Sequence, residues 1–350
     1  MKRIKYFDLL RIVCFAFIIF YHMMIQLYIN GIYPSEKLSP FFSNANMHIA
    51  TLAVAVFFML SGASLAYTTK ENFDLINFYK KRFIRLLIPF YIVIIIYAIV
   101  LVIIDPNFKV NHLAGVPKWR IIFTVLGLDE WVSMHNIATF SLGIGEWFLG
   151  ALVILYVLFP LFRFLMLKNS KVFFATATLV YLIVVYTYSS NVPVHMSLCL
   201  KGYEFILGML FGFYANRFSY KWMVITVPIV IFFFISPISI AINGALKITV
   251  LAVAFFVSFS YLENVLNDYI FKPISVLSKY SYELFLVHHA IIYYVTPQAA
   301  RYITGKTTVA ILFLGELCII AVITVLIKWI SDKMISFVLQ LTEKQYNIKK

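Results

Sequence analysis

The sequence predicts an all-α polytopic membrane protein with about ten transmembrane helices and both termini in the cytoplasm. Three observations carry this. Of 350 residues, 63% are hydrophobic and only 13% charged, whereas a soluble chain is about half apolar and about a quarter charged. Apolar runs near the roughly 20 residues that a bilayer core requires recur along the chain. The basic residues gather on one side of those runs.

The first element opens with Lys2, Arg3 and Lys5 and continues as an apolar run over about 9–28. That run is too long for a cleaved signal peptide and lacks a small-residue cleavage site, so it reads as the first span. Two more spans follow at about 47–67 and 87–104. Segment 119–128, flanked by Lys118, Arg120, Asp129 and Glu130, is too short and too charged to cross and is expected to lie at the interface. The remaining spans are expected at about 146–166, 172–188, 198–216, 222–241, 244–262, 281–299 and 308–331. No internal repeat or low-complexity tract breaks the chain, so residues 1–350 read as a single membrane domain that ends soon after its last helix.

Charge gives the orientation. The formal charge of +14 comes from 29 Lys and Arg against 15 Asp and Glu. With an internal N-terminus and ten crossings, 21 of the 29 basic residues fall on the inner side, Lys80, Lys81, Arg82, Arg85, Arg163 and Arg217 among them. This asymmetry is that of cytoplasmic loops. It points to anionic lipid headgroups of a bilayer rather than to nucleic acid. The longest outer loop runs from about Asp105 to Gly145. Cys14, Cys199 and Cys318 lie far apart in apolar segments, which gives neither a disulfide framework nor a metal spacing, and no metal is expected.

Charged and titratable groups inside hydrocarbon are costly and therefore mark candidate sites. Arg11 and His22 are eleven residues apart on the first span, about 16 Å along the axis, and nearly three turns, so they share a face. Arg11 could simply snorkel to headgroups and His22 bond a neighbouring helix. Arg82 and Arg85 share a face at the entrance of the third span, where two guanidiniums can grip phosphates; from composition alone a positively charged helix flank is the better explanation. Four acids interrupt later spans: Glu146, Glu204, Glu283 and Glu316. Glu146 opens the fourth helix, where the dipole stabilises it, at a depth from which it could also orient His22. Of the neighbouring pair His288 and His289, at most one can face a site, and His288 is the candidate, with plain burial as the other reading. There is no P-loop, no Gly-x-Ser-x-Gly elbow and no His-Glu-x-x-His.

Taken in order, these segments resemble the acyltransferase-3 family of integral membrane O-acyltransferases. Phe7-Asp-Leu-Leu-Arg11…Tyr21-His22 resembles the family's Arg/Lys-x10-His motif. Phe57-Phe-Met-Leu-Ser61-Gly62 resembles its Ser-Gly-Phe segment, with Ala63 in place of the usual Phe. Arg82-Phe-Ile-Arg85 before Pro89 resembles its Arg-x-x-Arg motif, and Trp147-Phe-Leu, Gly208 and Ser281-Tyr282…His288 resemble later blocks.

The resemblance implies transfer of an acyl group, most often acetyl, from cytosolic acyl-CoA to a hydroxyl of an extracytoplasmic glycan, at the cell membrane of a multi-pass protein. It implies that Arg82 and Arg85 help hold acetyl-CoA or another acyl-CoA and that His22 is catalytic. The residues themselves add Arg11 to the region that would attract the coenzyme's phosphates, the role of general base for His22, and Glu146 as the candidate to orient its imidazole. Tyr21 and Ser61 could accept the acyl group covalently, and Tyr282 and His288 are further candidates. Delivery is either direct or through a separate extracellular transferase. The residue usage hints at an AT-rich bacterial genome. Two other classes stay open: a proton-coupled transporter or flippase of a lipid-linked or small polar substrate, and a non-catalytic membrane scaffold.

Overall fold

The computed structural model describes residues 3–32, 43, 44, 46–104, 115–214 and 220–348. The start of the long outer loop (105–114), the end of the expected span 198–216, and the basic residues Lys2, Lys37, Lys109, Arg217, Lys349 and Lys350 lie outside them. Among the described residues the fold is helical, with one isolated bridge between Ser43 and His48.

The helices are α1 (Lys5–Ile29), α2 (Ile49–Thr68), α3 (Leu75–Ile104), α4 (Ile121–Leu126), α5 (Asp129–Ser133), α6 (Glu146–Thr187), α7 (Leu198–Phe213), α8 (Met223–Ile235), α9 (Gly244–Ser260), α10 (Leu262–Val265), α11 (Asp268–Ser278), α12 (Ser281–Ala299) and α13 (Lys306–Ile348). Among the described residues, six helical runs are long and apolar enough to cross a membrane: α1, α2, α3, α6, Gly244–Val265 and Lys306–Thr342. The chain is therefore an all-α membrane protein.

Several boundaries differ from the apolar windows for physical reasons. Helix α3 begins at Leu75, not near 87, because Lys80, Lys81, Arg82 and Arg85 are good helix formers whatever their hydropathy. The two arginines thus lie within the helix, in the turns that precede the expected span 87–104. Helix α13 likewise runs on to Ile348, past the expected end at 331. The expected spans 146–166 and 172–188 are the two arms of α6, which breaks at Asn169 (φ −158°, ψ 91°). The Asn169 side-chain oxygen accepts from Val172 N at 3.1 Å, an N-cap for the second arm. The expected spans 198–216 and 222–241 contain the shorter helices α7 and α8, the latter ending before Ser236. Segment 119–128 folds as a short 3-10 turn, Lys118–Arg120, then α4, closed by Gly127 in the left-handed region (φ +69°).

The chain divides into two compact units. The first comprises 1–73 and 158–281, the second 74–157 and 282–350. In the first, α2 and α7 meet backbone to backbone. A Cβ at Gly208 would lie 1.9 Å from the Met59 carbonyl oxygen, one at Gly212 2.2 Å from that of Ala63, and one at Gly62 2.0 Å from that of Phe205. The pairs Met59/Gly208 and Ala63/Gly212 keep one register, so the two helices run parallel. Apolar lipid supplies no hydrophobic drive between helices, and such close approach of small residues is what replaces it. Around this crossing Tyr6, Phe7, Phe211 and Phe256 pack edge-on and stacked into one core. In the second unit α3 packs along α13, and α12 is tied to α13 at two heights, by Thr296 with Glu316 and by Glu283 with Lys328.

Candidate functional site

In the first unit, α1 is continuous from Lys5 through Ile29, so Arg11 and His22 do stand three turns apart on one helix. His22 is 6% exposed, in line with buried Phe15, Ile18 and Ile19. The Tyr21 ring packs edge-on against the His48 ring at 5.1 Å, just before α2.

Arg11 sits in a small ionic node. Its guanidinium donates to Asp8 Oδ1 at 2.9 Å and to Ser64 Oγ at 2.8 Å. Asp8 is buried and also accepts from Arg3 and, at 2.7 Å, from Ser278 Oγ. Three helices are joined through one carboxylate. Asp8 lies in the first turn of α1, where the helix dipole favours its charge. Ser61 lies on α2, half-buried, one residue before Gly62 of the α2–α7 crossing. Glu204 forms an ion pair with Lys201 at 2.7 Å, both fully buried on α7.

In the second unit, the Arg82 guanidinium lies over the Tyr156 ring at 5.5 Å, a cation–π contact, while Arg85 is exposed. Tyr282 donates its hydroxyl to the Leu86 carbonyl oxygen at 2.6 Å, fastening the start of α12 to the helical turn that carries Arg85. Pro89 follows in the same helix and offers no N–H to the Arg85 carbonyl, which loosens the backbone there.

Glu146 begins α6 with a positive φ of +44°, after Gly143 (φ +77°) and Gly145 (φ +80°). A left-handed start on a non-glycine residue is strained and is held only by its surroundings. Glu130 on α5 supplies part of that hold by accepting from Gly143 N and from Ser141 Oγ. Burial pushes the Glu130 carboxyl above the usual carboxylate range; the Gly143 N–H opposes that and the Asp129 charge adds to it. The imidazole that Glu146 approaches within its unit is that of His288. His288 is fully buried, its Nδ1 donates to Phe285 O at 2.8 Å, and its Nε2 lies 3.9 Å from Glu146 Oε1. The His289 ring lies tilted against that of Tyr293, with centroids 3.8 Å apart, and its Nδ1 is beside Gly143.

The node around Asp8 and the Tyr282–Leu86 bond were not anticipated as partners of the arginines. Asp8 had a local signal, three residues before Arg11 on one helix face. The carbonyl of Leu86 had none.

A family model described as an acyltransferase domain, acyltransferase-3, matches residues 4–332. Comparison with curated proteins and with solved structures returned no match. The match spans nearly the whole chain, and the chain belongs to the acyltransferase-3 family.

Proposed function

We propose that this membrane acyltransferase takes its acyl group from cytosolic acyl-CoA, acetyl-CoA in the simplest case. It delivers the group to a hydroxyl of an extracytoplasmic glycan such as exopolysaccharide, capsule or cell-wall polysaccharide. It does so in the plasma membrane of a bacterium, crossing ten times with both termini inside. The parallel run of α2 and α7 and the antiparallel ties between α12 and α13 fit that path, in which the second and sixth crossings share a direction and the ninth and tenth oppose.

The observation that carries the reading is the placement of His22. Its imidazole is buried in α1, about 16 Å along the axis from the arginine that enters the Asp8 node. Coenzyme A phosphates would be drawn to Arg82, Arg85 and the Arg11 region, leaving the flexible pantetheine arm to carry the thioester into the membrane. His22 takes the proton of the acceptor hydroxyl as its oxygen attacks the thioester carbonyl. The carbon–sulfur bond then breaks, and the imidazolium returns the proton to the departing thiolate. Histidine suits both steps because its ordinary pKa is about 6.5.

The test is acyl transfer by purified protein supplied with acetyl-CoA, alongside NMR of O-acetyl groups on surface glycans. His22→Ala is expected to lower turnover at least about a hundredfold while the protein stays folded. Arg82→Ala is expected to raise the donor KM more than it lowers kcat. Full turnover in the His22 variant would remove the catalytic assignment. An unchanged KM in the Arg82 variant would remove the donor site.

A further inference from the structure

The membrane-spanning part of α13 has one buried stripe: Glu316, Ile320, Thr324, Ile327 and Ser331 are its buried residues among those whose side chains are described. At about 100° per residue these five fall within an arc of roughly 80°. On the face that a membrane helix turns to protein, small residues are common, Ser and Thr among them, and polar side chains ordinarily hydrogen-bond across to the next helix. Three of these five are polar. They rise along the helix in steps of about 12 Å and about 10 Å.

Their hydrogen bonding is incomplete. Thr296 Oγ1 on α12 donates to Glu316 Oε1 at 2.6 Å, but Glu316 Oε2 is buried with no hydrogen-bond partner among the described residues. The same holds for Thr324 Oγ1 and Ser331 Oγ, and for Glu283 Oε2 on α12, whose other oxygen faces Lys328 Nζ at 3.5 Å. The two ties between α12 and α13 are antiparallel in register, Thr296 with Glu316 and Glu283 with Lys328; Thr324 lies between these two heights on the buried stripe of α13, and Ser331 about one turn beyond Lys328. Each unmatched buried oxygen has given up its hydrogen bonds to water without replacement. Native proteins remove that loss with bound water where the surroundings are polar. Glu316 has a second difficulty. It is 1% exposed and forms no ion pair among the described residues. A carboxylate without a counter-charge in such a place is strongly disfavoured, and binding a proton removes the charge.

We propose that Glu316 is a proton-binding site inside the membrane and that water bound along the buried polar stripe of α13, past Thr324 and Ser331 toward Glu283 and Lys328, delivers the proton. The step is a transfer along hydrogen bonds: each water accepts one proton and passes on another, and the last goes to Glu316 Oε2. It needs no co-reactant and does not depend on the identity of the acyl donor or acceptor.

Two measurements on the full-length protein in lipid nanodiscs test it. Dicyclohexylcarbodiimide, which modifies protonated carboxyl groups in apolar surroundings, is expected to label Glu316, and the adduct is expected to vanish in Glu316→Gln. X-ray radiolysis of water, read by mass spectrometry, is expected to oxidise Ile320 and Ile327 several-fold faster than Ile18 in the apolar core of the first unit. The near-isosteric Thr324→Val, combined with Ser331→Ala, is expected to bring Ile320 and Ile327 down to the Ile18 rate, and the same variant keeps the test usable if Glu316→Gln does not fold. No adduct on Glu316 would overturn the proton site. Oxidation of Ile320 and Ile327 at the Ile18 rate in the unaltered protein would overturn the water path.

Discussion

His288 Nε2 faces Glu146 Oε1 across 3.9 Å, and the Phe285 carbonyl, accepting from Nδ1, fixes which ring nitrogen turns toward the acid. The pair therefore has one defined geometry: Nδ1 carries hydrogen and Nε2 is the ring nitrogen turned toward the carboxyl group, at 3.9 Å beyond direct hydrogen-bond length. If the two act as a unit, their losses do not add. Glu146→Gln and His288→Asn are each expected to lower acyl transfer by about tenfold to a hundredfold, and the double variant no further than the worse single one. Multiplied losses would show that the two work independently.

Asp8 is the common acceptor for Arg3, Arg11 and Ser278. Removing it leaves two guanidiniums facing each other without their shared anion. Asp8→Ala is expected to cost about 2 kcal/mol, the scale of a hydrogen bond to a charged group, because both arginines keep partial access to solvent. Asp8→Asn is expected to cost less. Denaturant unfolding in detergent reads this; an unaltered midpoint for the alanine variant would show that the node adds no stability.

Gly208→Ala places a methyl group 1.9 Å from the Met59 carbonyl oxygen, an obstruction that no side-chain movement relieves. The helices must separate, at a cost of roughly 1–3 kcal/mol. The thermal midpoint is expected to drop accordingly. A wild-type midpoint would mean that the crossing yields more readily than its geometry indicates.

His195 lies in the turn before α7, outside the spans, and burial pushes its pKa down to about 4, with the charges of Lys201 and His48 adding to the shift. The unfolded chain protonates near 6.5. Above that value both states are neutral and the residue contributes nothing to pH dependence. Between about 6.5 and about 4 the unfolded state binds a proton that the folded state refuses, so stability falls as pH falls. Melting temperatures between pH 7.5 and 5 are expected to decline less steeply for His195→Gln than for the parent. Equal slopes would assign the acid sensitivity to other groups.

Apolar runs located most helices because hydrocarbon imposes its length on whatever crosses it. They failed where the backbone is helical and the side chains are not apolar. The Lys80–Arg85 turn of α3 and the tail of α13 are built from good helix formers that no hydropathy window registers. The break at Asn169 is a capping event inside an otherwise continuous helix, a short-range signal beside a long-range one. Of the candidate residues, the placing of Arg11 with His22 on α1 and of Arg82 with Arg85 on α3 was legible from spacing along each helix. The approach of Glu146 to His288 was not, because it depends on a loop strained through Gly143 and Gly145 and braced by Glu130. Nor was the pairing of Glu204 with Lys201 read, although three residues along one helix would have sufficed.

Where α2 meets α7, little more than glycine hydrogens separates the two main chains. Such a junction behaves like meshed gear teeth: it transmits force without slipping and leaves no slack for remodelling. Libraries meant to broaden or redirect what this enzyme modifies would waste their diversity at Gly62, Gly208 or Gly212. Exposed positions such as Trp119 and Ile121, which no such crossing constrains, leave far more room for change.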